Sequence, residues 1–256
     1  MTTATATSPA STYTEALAAL SGAQKSSRGT PAYSRFVNRR LGRHLAAFAF
    51  SRGMSPNQVS AVSAMFSFVA IAVVSLHRPS VPTGILVATT LAVGYAWDSA
   101  DGQLARLQGG GSRLGEWLDH MIDCTKIASL HLAVLISCYR FLEGLDPRAL
   151  LLPLGFEVVS TVMFFGLILS DQLRRAAAGG TRPRDEGSLS AVRSWAILPT
   201  DYGLLCVTFL LLGWPTLFLS AYGALLLANT AFLAAALVKW WRAMSAIDHD
   251  SGPPVV

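Results

Sequence analysis

The chain has 256 residues, of which 52% are hydrophobic and 14% are charged, and its formal net charge is +5. Soluble domains average about 25% charged residues, so this composition excludes an ordinary soluble protein and indicates a polytopic membrane protein. A basic chain could bind nucleic acid, but no nucleic-acid-binding motif accompanies the charge, so we expect no nucleic-acid partner.

The segment before the first long apolar run divides into two parts. Residues 1–32 are rich in alanine, serine and threonine and predict a disordered or loosely ordered tail. Residues 33–54 predict an amphipathic juxtamembrane helix and linker, because apolar residues such as Phe36 and Leu41 recur at helical spacing among arginines. A basic amphipathic helix of this kind is expected to lie in the membrane interface.

Residues 55–243 predict an all-α integral membrane domain of about six transmembrane helices, which would be the catalytic part of the chain. Ser55 and Pro56 suit the cap and the first position of the first helix. Trp214 and Pro215 mark the turn between the fifth and sixth spans. The expected spans are residues 57–76, 83–105, 113–141, 148–174, 200–218 and 219–243, followed by a carboxy-terminal tail over 244–256.

Basic residues are unevenly distributed between alternate loops. With the amino terminus in the cytoplasm, the outer loops hold Arg78, Arg140 and Arg148, whereas the inner segments hold most of the other arginines and lysines. Cytoplasmic loops of membrane proteins carry this excess of positive charge. The asymmetry predicts a multi-pass protein of the cell membrane, with both termini and the inner ends of spans two and three on the cytoplasmic side.

Four aspartates lie at those inner ends: Asp98, Asp101, Asp119 and Asp123. Spacings of three and four residues place each pair on one helix face, so two neighbouring antiparallel helices would direct all four into one cleft. Carboxylates at membrane depth are costly and mark functional sites. Oxygen ligands without histidine or cysteine favour Mg²⁺, with Mn²⁺ as a substitute, and two such ions would balance the four negative charges.

Small residues and one cation accompany these acids. Gly102, Ala105 and Gly115 leave space for a ligand, and Arg106 could bind a phosphate. A pair of divalent cations suits displacement at phosphorus. The alternative function is a cation transporter whose carboxylates bind ions in transit, but transport needs neither the small residues nor the arginine, and its acids should extend deeper into the membrane.

The spacing of these residues resembles a known signature. Asp98-Ser-Ala-Asp101-Gly102-Gln-Leu-Ala105-Arg106, then eight residues, then Gly115-Glu-Trp-Leu-Asp119-His-Met-Ile-Asp123 meets every fixed position of the signature of the CDP-alcohol phosphotransferase family. The preceding Ser55-Pro56-Asn57-Gln58-Val59-Ser60 is similar to that family's Thr-Pro-Asn-x-x-Thr, with serine in both threonine positions.

The resemblance implies a reaction and a set of roles. A CDP-linked lipid would donate a phosphatidyl-type group to an alcohol, with release of CMP, in phospholipid biosynthesis, and the enzyme would be a homodimer. Asp98, Asp101 and Asp119 would hold two metal ions, and Asp123 would complete the metal site and act as general base on the acceptor hydroxyl. The nucleotide pocket would consist of Gly102, Ala105, Gly115 and Arg106, with Asn57 at its border and Arg106 on the phosphate.

Further charged residues leave alternatives open. Lys126 is predicted either to pair with Glu157 of the fourth span or to tune Asp123. Basic residues near the inner face serve membrane topology, or else they form a pocket for a phosphorylated acceptor such as inositol phosphate or glycerol phosphate; serine and other polyols also remain open. This basic set comprises Arg174, Arg175, Arg193 and Lys239. Residues 178–190 are expected to be an inner connecting loop or a lid.

Overall fold

The structure is a computed structural model that describes residues 12–22, 31–179 and 197–250. Within these ranges all regular structure is helical, which confirms the predicted all-α class. The helices are α1 (Tyr13–Gly22), α2 (Arg39–Ser51), α3 (Pro56–Leu76), α4 (Val81–Leu107), α5 (Arg113–Phe141), α6 (Leu151–Ala177), α7 (Tyr202–Thr208) and α8 (Pro215–Asp250). A π-helical turn, Ser34–Asn38, leads into α2, and 3₁₀ turns cover Pro147–Leu150, Leu198–Thr200 and Phe209–Gly213.

Four helical segments in the described part are long and apolar enough to cross a membrane. They are Pro56–Leu76, Arg113–Phe141, Pro147–Ala177 and Pro215–His249, which match the first, third, fourth and sixth predicted spans. Helix α4, which carries Asp98 and Asp101, is not one of the four, and Tyr202–Gly213 is shorter. The chain therefore has the helices of a membrane protein, while the count of six spans and an interfacial position for α2 stay predictions.

The ends of the helices follow local backbone chemistry. Ser55 caps α3 by accepting a hydrogen bond from the Gln58 backbone N–H, and the Gln58 side chain accepts one from the Ser55 N–H, so the predicted cap is confirmed as a capping box. The helices break between Gly213 and Pro215, where Trp214 and Pro215 predict a turn, although the predicted bounds of the last two spans meet at residues 218 and 219. Proline suits the first helical position because it lacks a donor there, so α8 begins at Pro215.

Helix α1 lies where the sequence predicted a loosely ordered tail. Its ten residues are too few for a stable isolated helix, so contacts with the rest of the chain must hold it. Ala16 and Leu20 are fully buried in a small core that includes Ala46 of α2 and Ala100 of α4. The amino-terminal helix thus packs beside the end of α4 that carries the acidic signature.

A buried aspartate joins the turn before α2 to the start of α7. Asp201 is 3% exposed and accepts hydrogen bonds from the Ser34 N–H (2.8 Å), the Ser34 hydroxyl (2.9 Å) and the Gly203 N–H (3.0 Å). The Ser34 hydroxyl also contacts the hydroxyl of Tyr95 on α4. Because buried polar groups need partners, this set of bonds fixes α2 against α4 and α7.

We expect Gly203→Ala to destabilise this junction. A Cβ at residue 203 would overlap the ring of Tyr33, which stacks on Tyr95. Overpacking of this kind costs about 1–3 kcal/mol, so the melting temperature in detergent should fall by several degrees. The matched control is Gly155→Ala, whose Cβ would lie 3.5 Å from Leu226, an ordinary contact. Equal melting temperatures for the two variants would contradict the packing argument.

A buried histidine sets the position of α5 relative to α6 and α8. His131 is 2% exposed, and its Nε2 lies 3.0 Å from the Ser160 hydroxyl of α6. Its Nδ1 is hydrogen-bonded to the Tyr222 hydroxyl of α8, and its ring stacks on Phe156. The main apolar core, which includes Leu130, surrounds these groups. These contacts join α5 to α6 and α8 within the core.

Candidate active site

The two acid-bearing helices are joined by a tight glycine link. Gly109 and Gly110 have φ values of 95° and 133°, which side chains with a Cβ rarely adopt. Ser112 then caps α5 by accepting a hydrogen bond from the Gly115 N–H at 2.9 Å. Both α4 and α5 pack against α3. The acidic side chains of α4 and α5 therefore face each other beside α3.

Three of the four aspartates come together. Carboxylate oxygens of Asp98, Asp119 and Asp123 all lie within 4.8 Å of one another. Asp101 is instead turned towards α3, where the Ser60 hydroxyl donates a hydrogen bond to its Oδ2 at 2.6 Å and the Gly102 N–H contacts its Oδ1. The site is therefore a three-carboxylate cluster, with the fourth acid held one helical turn away on α4.

The donor set of this cluster fits a divalent cation. It offers oxygen ligands from three carboxylates on two helices, which is the chemistry that Mg²⁺ and Mn²⁺ prefer. Charges this close repel one another strongly unless a positive group lies among them. Asp98, Asp119 and Asp123 would hold such an ion.

Lys126 is a cation that already contacts the cluster. Its Nζ lies 2.6 Å from Asp98 Oδ1 and 2.7 Å from Asp123 Oδ1. The alternative partner, Glu157, instead accepts a hydrogen bond from Thr161 Oγ1 at 2.8 Å, so the predicted pair of Lys126 with Glu157 is not formed. The contact of Lys126 with Asp123 follows from their three-residue spacing on α5. The contact with Asp98 depends on the register between α4 and α5, which no local pattern specifies.

The small residues lie beside the polar groups that were predicted with them. A Cβ on Gly102 would lie 3.5 Å from Nη1 of Arg106, and one on Gly115 would lie 3.2 Å from Oδ1 of Asn57. Ala105 is half-buried in the same turn of α4 as Arg106. Side chains at either glycine would reduce the space next to the guanidinium or the amide.

Sequence reasoning missed one basic neighbour of Arg106. Burial lowers the pKa of the Arg39 guanidinium on α2, and the like charge of Arg106 lowers that pKa further. The Gln103 side chain donates a hydrogen bond to the Arg39 carbonyl at 3.2 Å, so Arg39 lies beside the signature segment. Arg39 was overlooked because the arginines of α2 were attributed to contact with the membrane interface.

A second polar pocket lies between α5, α6 and α8. It has a volume of about 410 Å³, and its lining includes Arg174, Arg175 and Lys239 together with Glu116 and His120. Three of the four predicted acceptor-pocket residues therefore share one cavity. Arg193 and most of the loop at 178–190 lie outside the described residues.

The arginines of this pocket differ in their contacts. Arg175 forms an ion pair with Glu116 at 3.0 Å and another with Asp171, so its charge is already compensated. Arg174 and Lys239 form no ion pair with any residue that the structure describes. Within the described part of the chain, these two cations are therefore the ones available to an anion.

We expect Ser60→Ala to impair the site through Asp101. The hydroxyl of Ser60 donates the 2.6 Å hydrogen bond that orients this carboxylate, and such a bond to a charged group contributes about 1.5–3 kcal/mol. Turnover should fall roughly tenfold, in keeping with that contribution. Ser60→Thr retains the hydroxyl and should retain most of the activity. If Ser60→Ala turns over as fast as Ser60→Thr, the hydrogen bond has no role in positioning Asp101.

Comparison with known proteins identifies related chains. The family model described as CDP-alcohol phosphatidyltransferase matches residues 54–241. No curated protein matches the sequence. Among solved structures, the Mycobacterium tuberculosis phosphatidylinositol phosphate synthase PgsA1 with CDP-DAG bound is 22% identical with a TM-score of 0.52, over 80% of this chain and 94% of that chain. The structure of the same protein in complex with manganese and citrate is 21% identical with a TM-score of 0.49, over 77% of this chain and 87% of that chain. At these identities the likeness shows the fold alone.

Proposed function

Because the chain belongs to the CDP-alcohol phosphatidyltransferase family, it is a membrane phosphotransferase, and we propose that it transfers a phosphatidyl-type group from a CDP-linked lipid to a small alcohol. The observation that carries this proposal is the cluster of Asp98, Asp119 and Asp123, whose carboxylate oxygens lie within 4.8 Å of one another. Gly102 and Arg106 follow Asp98 by one and two turns of α4. CDP-DAG in the similarly folded PgsA1 supports a donor of the CDP-diacylglycerol class. The reaction would serve phospholipid biosynthesis.

The residues of the cluster have distinct tasks in this reaction. Asp123 takes the proton of the acceptor hydroxyl, whose oxygen then attacks the lipid-side phosphorus. The bond from that phosphorus to the bridging oxygen breaks, and CMP leaves with the electron pair. Arg106 stabilises negative charge on the phosphates. Mg²⁺, as two ions for which Mn²⁺ can substitute, supplies a Lewis acid when bound by Asp98, Asp101, Asp119 and Asp123.

The small residues make room for the donor's nucleotide. Gly102, Ala105 and Gly115 line this space, and Asn57 borders it beside Gly115. A backbone without bulky side chains allows a ligand to approach closely. Arg39, whose carbonyl accepts a hydrogen bond from Gln103 of the signature segment, brings a second positive charge to this end of α4, which would favour the diphosphate of the donor.

We assign the pocket of Arg174, Arg175 and Lys239, together with Arg193, to a phosphorylated acceptor. Support comes from Arg174 and Lys239, which line the pocket and form no ion pair with a described residue, since an anionic acceptor needs unpaired cations. The pocket includes Glu116, which lies one turn before Asp119 on α5. An acceptor held there could direct a hydroxyl towards Asp123. Inositol phosphate and glycerol phosphate are the acceptors this assignment favours.

The arrangement in the membrane is also part of the proposal. We propose six spans with α2 in the interface, both termini and the site on the cytoplasmic side of the cell membrane, and a homodimer. The uneven distribution of basic residues supports this orientation. Water-soluble acceptors would reach the site from the cytoplasm while the lipid tails stay in the bilayer. A cation transporter, the alternative function, has no observation in its favour beyond the acids themselves.

The direct test uses purified protein, Mg²⁺ and labelled CDP-diacylglycerol with a panel of acceptors. We expect CMP release that depends on the acceptor, with inositol phosphate or glycerol phosphate preferred over serine. CMP release with serine alone would support the proposed reaction but contradict the assignment of the basic pocket to a phosphorylated acceptor. Absence of CMP release with every acceptor in the panel would contradict the proposed function.

Arg174→Ala tests the acceptor pocket separately. We expect the KM for the phosphorylated acceptor to rise about tenfold, because a charge-assisted hydrogen bond contributes about 1.5–3 kcal/mol, while the KM for the CDP-lipid stays unchanged. Arg140→Ala is the control, since Arg140 donates a hydrogen bond to the Ser75 carbonyl at the opposite end of α5. Equal acceptor KM values in the two variants would remove Arg174 from the pocket.

A further inference from the structure

Lys126 is a buried cation at the centre of a membrane-spanning helix. It lies midway along the 29-residue helix α5, and its side chain is 8% exposed. A charged amine at such a depth is costly unless it is paired, and intramembrane ionisable residues are usually functional. Its partners are two of the acids assigned to the metal site, Asp98 and Asp123.

The geometry of Lys126 overlaps with that of a metal ion. Its Nζ touches Oδ1 of both carboxylates, at 2.6 Å and 2.7 Å, and so bridges α4 and α5 as a shared divalent cation would. An ion placed between the same oxygens would lie within a few ångströms of the ammonium. At this separation like charges repel by several kcal/mol even when an effective dielectric constant of about 20 is assumed.

The charges of the site lead to the same conclusion. The four carboxylates with charged Lys126 carry a formal charge of minus three, so two divalent cations would leave the site with an excess positive charge. Without the lysine, two such ions would balance the acids completely. Lys126 therefore opposes full metal occupancy, although it stabilises the acids when no metal is bound.

We propose that Lys126 is a built-in counter-ion of the metal site, which holds Asp98 and Asp123 together before metal binds and weakens the binding of the second divalent cation. This inference rests on the proposed function, because it takes the aspartates to be metal ligands. It makes Lys126 a positioning residue. Loading of the second ion then depends on the concentration of free metal, or on the extra negative charge that the donor's diphosphate brings.

The first test measures Mn²⁺ binding to the full chain by electron paramagnetic resonance, without substrate. The variants are Lys126→Met, which keeps the length of the side chain without its charge, and Lys126→Gln, which keeps a hydrogen-bond donor. We expect the dissociation constant of the weaker Mn²⁺ site to fall about tenfold or more in both variants. Arg78→Met is the control, since it removes a cation from an exposed pair with Glu143.

The second test measures thermal stability with and without metal. In a chelator, Lys126→Met leaves the acids uncompensated, and we expect the melting temperature to fall by about 6 °C or more. Mg²⁺ should restore most of this loss, because the ion replaces the missing charge. A lysine that served packing alone would give a deficit that Mg²⁺ does not change.

The outcomes separate this inference from the proposed function. Wild-type protein that binds no Mn²⁺ would refute the metal-dependent function itself. Wild-type binding with unchanged or weaker Mn²⁺ affinity in both variants would overturn only the role of Lys126. A stability deficit that is equal with and without Mg²⁺ would overturn it as well. If Lys126→Met does not fold, Lys126→Gln carries both measurements.

Discussion

Asp123→Asn is expected to lower CMP release by about 10³-fold or more, because general-base catalysis alone contributes about 10²–10⁴-fold and the variant also loses a metal ligand. Asp123 lies within 4.8 Å of Asp98 and Asp119, so one change removes both functions. The protein should remain folded, since Lys126 keeps its ion pair with Asp98 and the substitution also relieves repulsion among the acids. The measurement is CMP release from labelled CDP-diacylglycerol with a saturating acceptor, alongside the melting temperature.

Asp146→Asn is the matched control for this variant. Asp146 caps the 3₁₀ turn before α6 by accepting a hydrogen bond from the Arg148 N–H at 2.8 Å, and it lies outside the acidic cluster. This control should retain wild-type turnover. An Asp123→Asn enzyme with more than a tenth of wild-type turnover would show that another group removes the proton from the acceptor.

Removal of divalent cations is expected to abolish turnover, and Mg²⁺ should restore it, with Mn²⁺ as a substitute. The physical reason is the donor set of the cluster, three carboxylates whose oxygens lie within 4.8 Å and which fit hard cations. The measurement is CMP release after treatment with a chelator, followed by titration of each metal. The dependence on Mg²⁺ should be steep while the metal site fills.

Asp98→Asn provides the matching variant for the metal titration. It removes one ligand of the cluster while Asp119 and Asp123 remain. The Mg²⁺ concentration for half-maximal activity should therefore rise about tenfold or more, because one charged ligand is lost. The wild-type protein without chelator is the reference. Turnover that persists in excess chelator would exclude a metal-dependent mechanism, whatever the result with Asp98→Asn.

Sequence patterns predicted the features that depend on residues close together in the chain. The cap at Ser55, the third span at 113–141 and the placing of the aspartates on two successive helices all follow from spacings of a few residues. The all-helical class follows in the same way from apolar runs separated by polar turns. The proximity of Asp98, Asp119 and Asp123 required one further assumption, that α4 and α5 are neighbours.

Features set by contacts between distant segments could not be predicted in this way. Asp101 turns towards Ser60, which lies forty-one residues earlier, because α3 packs against α4. The contact of Lys126 with Asp98 and the burial of Leu20 in α1 also depend on the register between elements. Propensity is a weak guide to such contacts, since tertiary packing overrides it.

Helix α8 has 36 residues, which corresponds to a length of about 54 Å at about 1.5 Å per residue. The hydrocarbon layer of a bilayer is about 30 Å thick, so α8 must either tilt in the membrane or extend well beyond the hydrocarbon layer. Lys239 follows Pro215 by about 36 Å along the axis, just past the thickness of that layer. Lys239 would thus lie at the level of the lipid headgroups. At this depth its ammonium group can bind a hydrophilic anion that arrives from the aqueous phase.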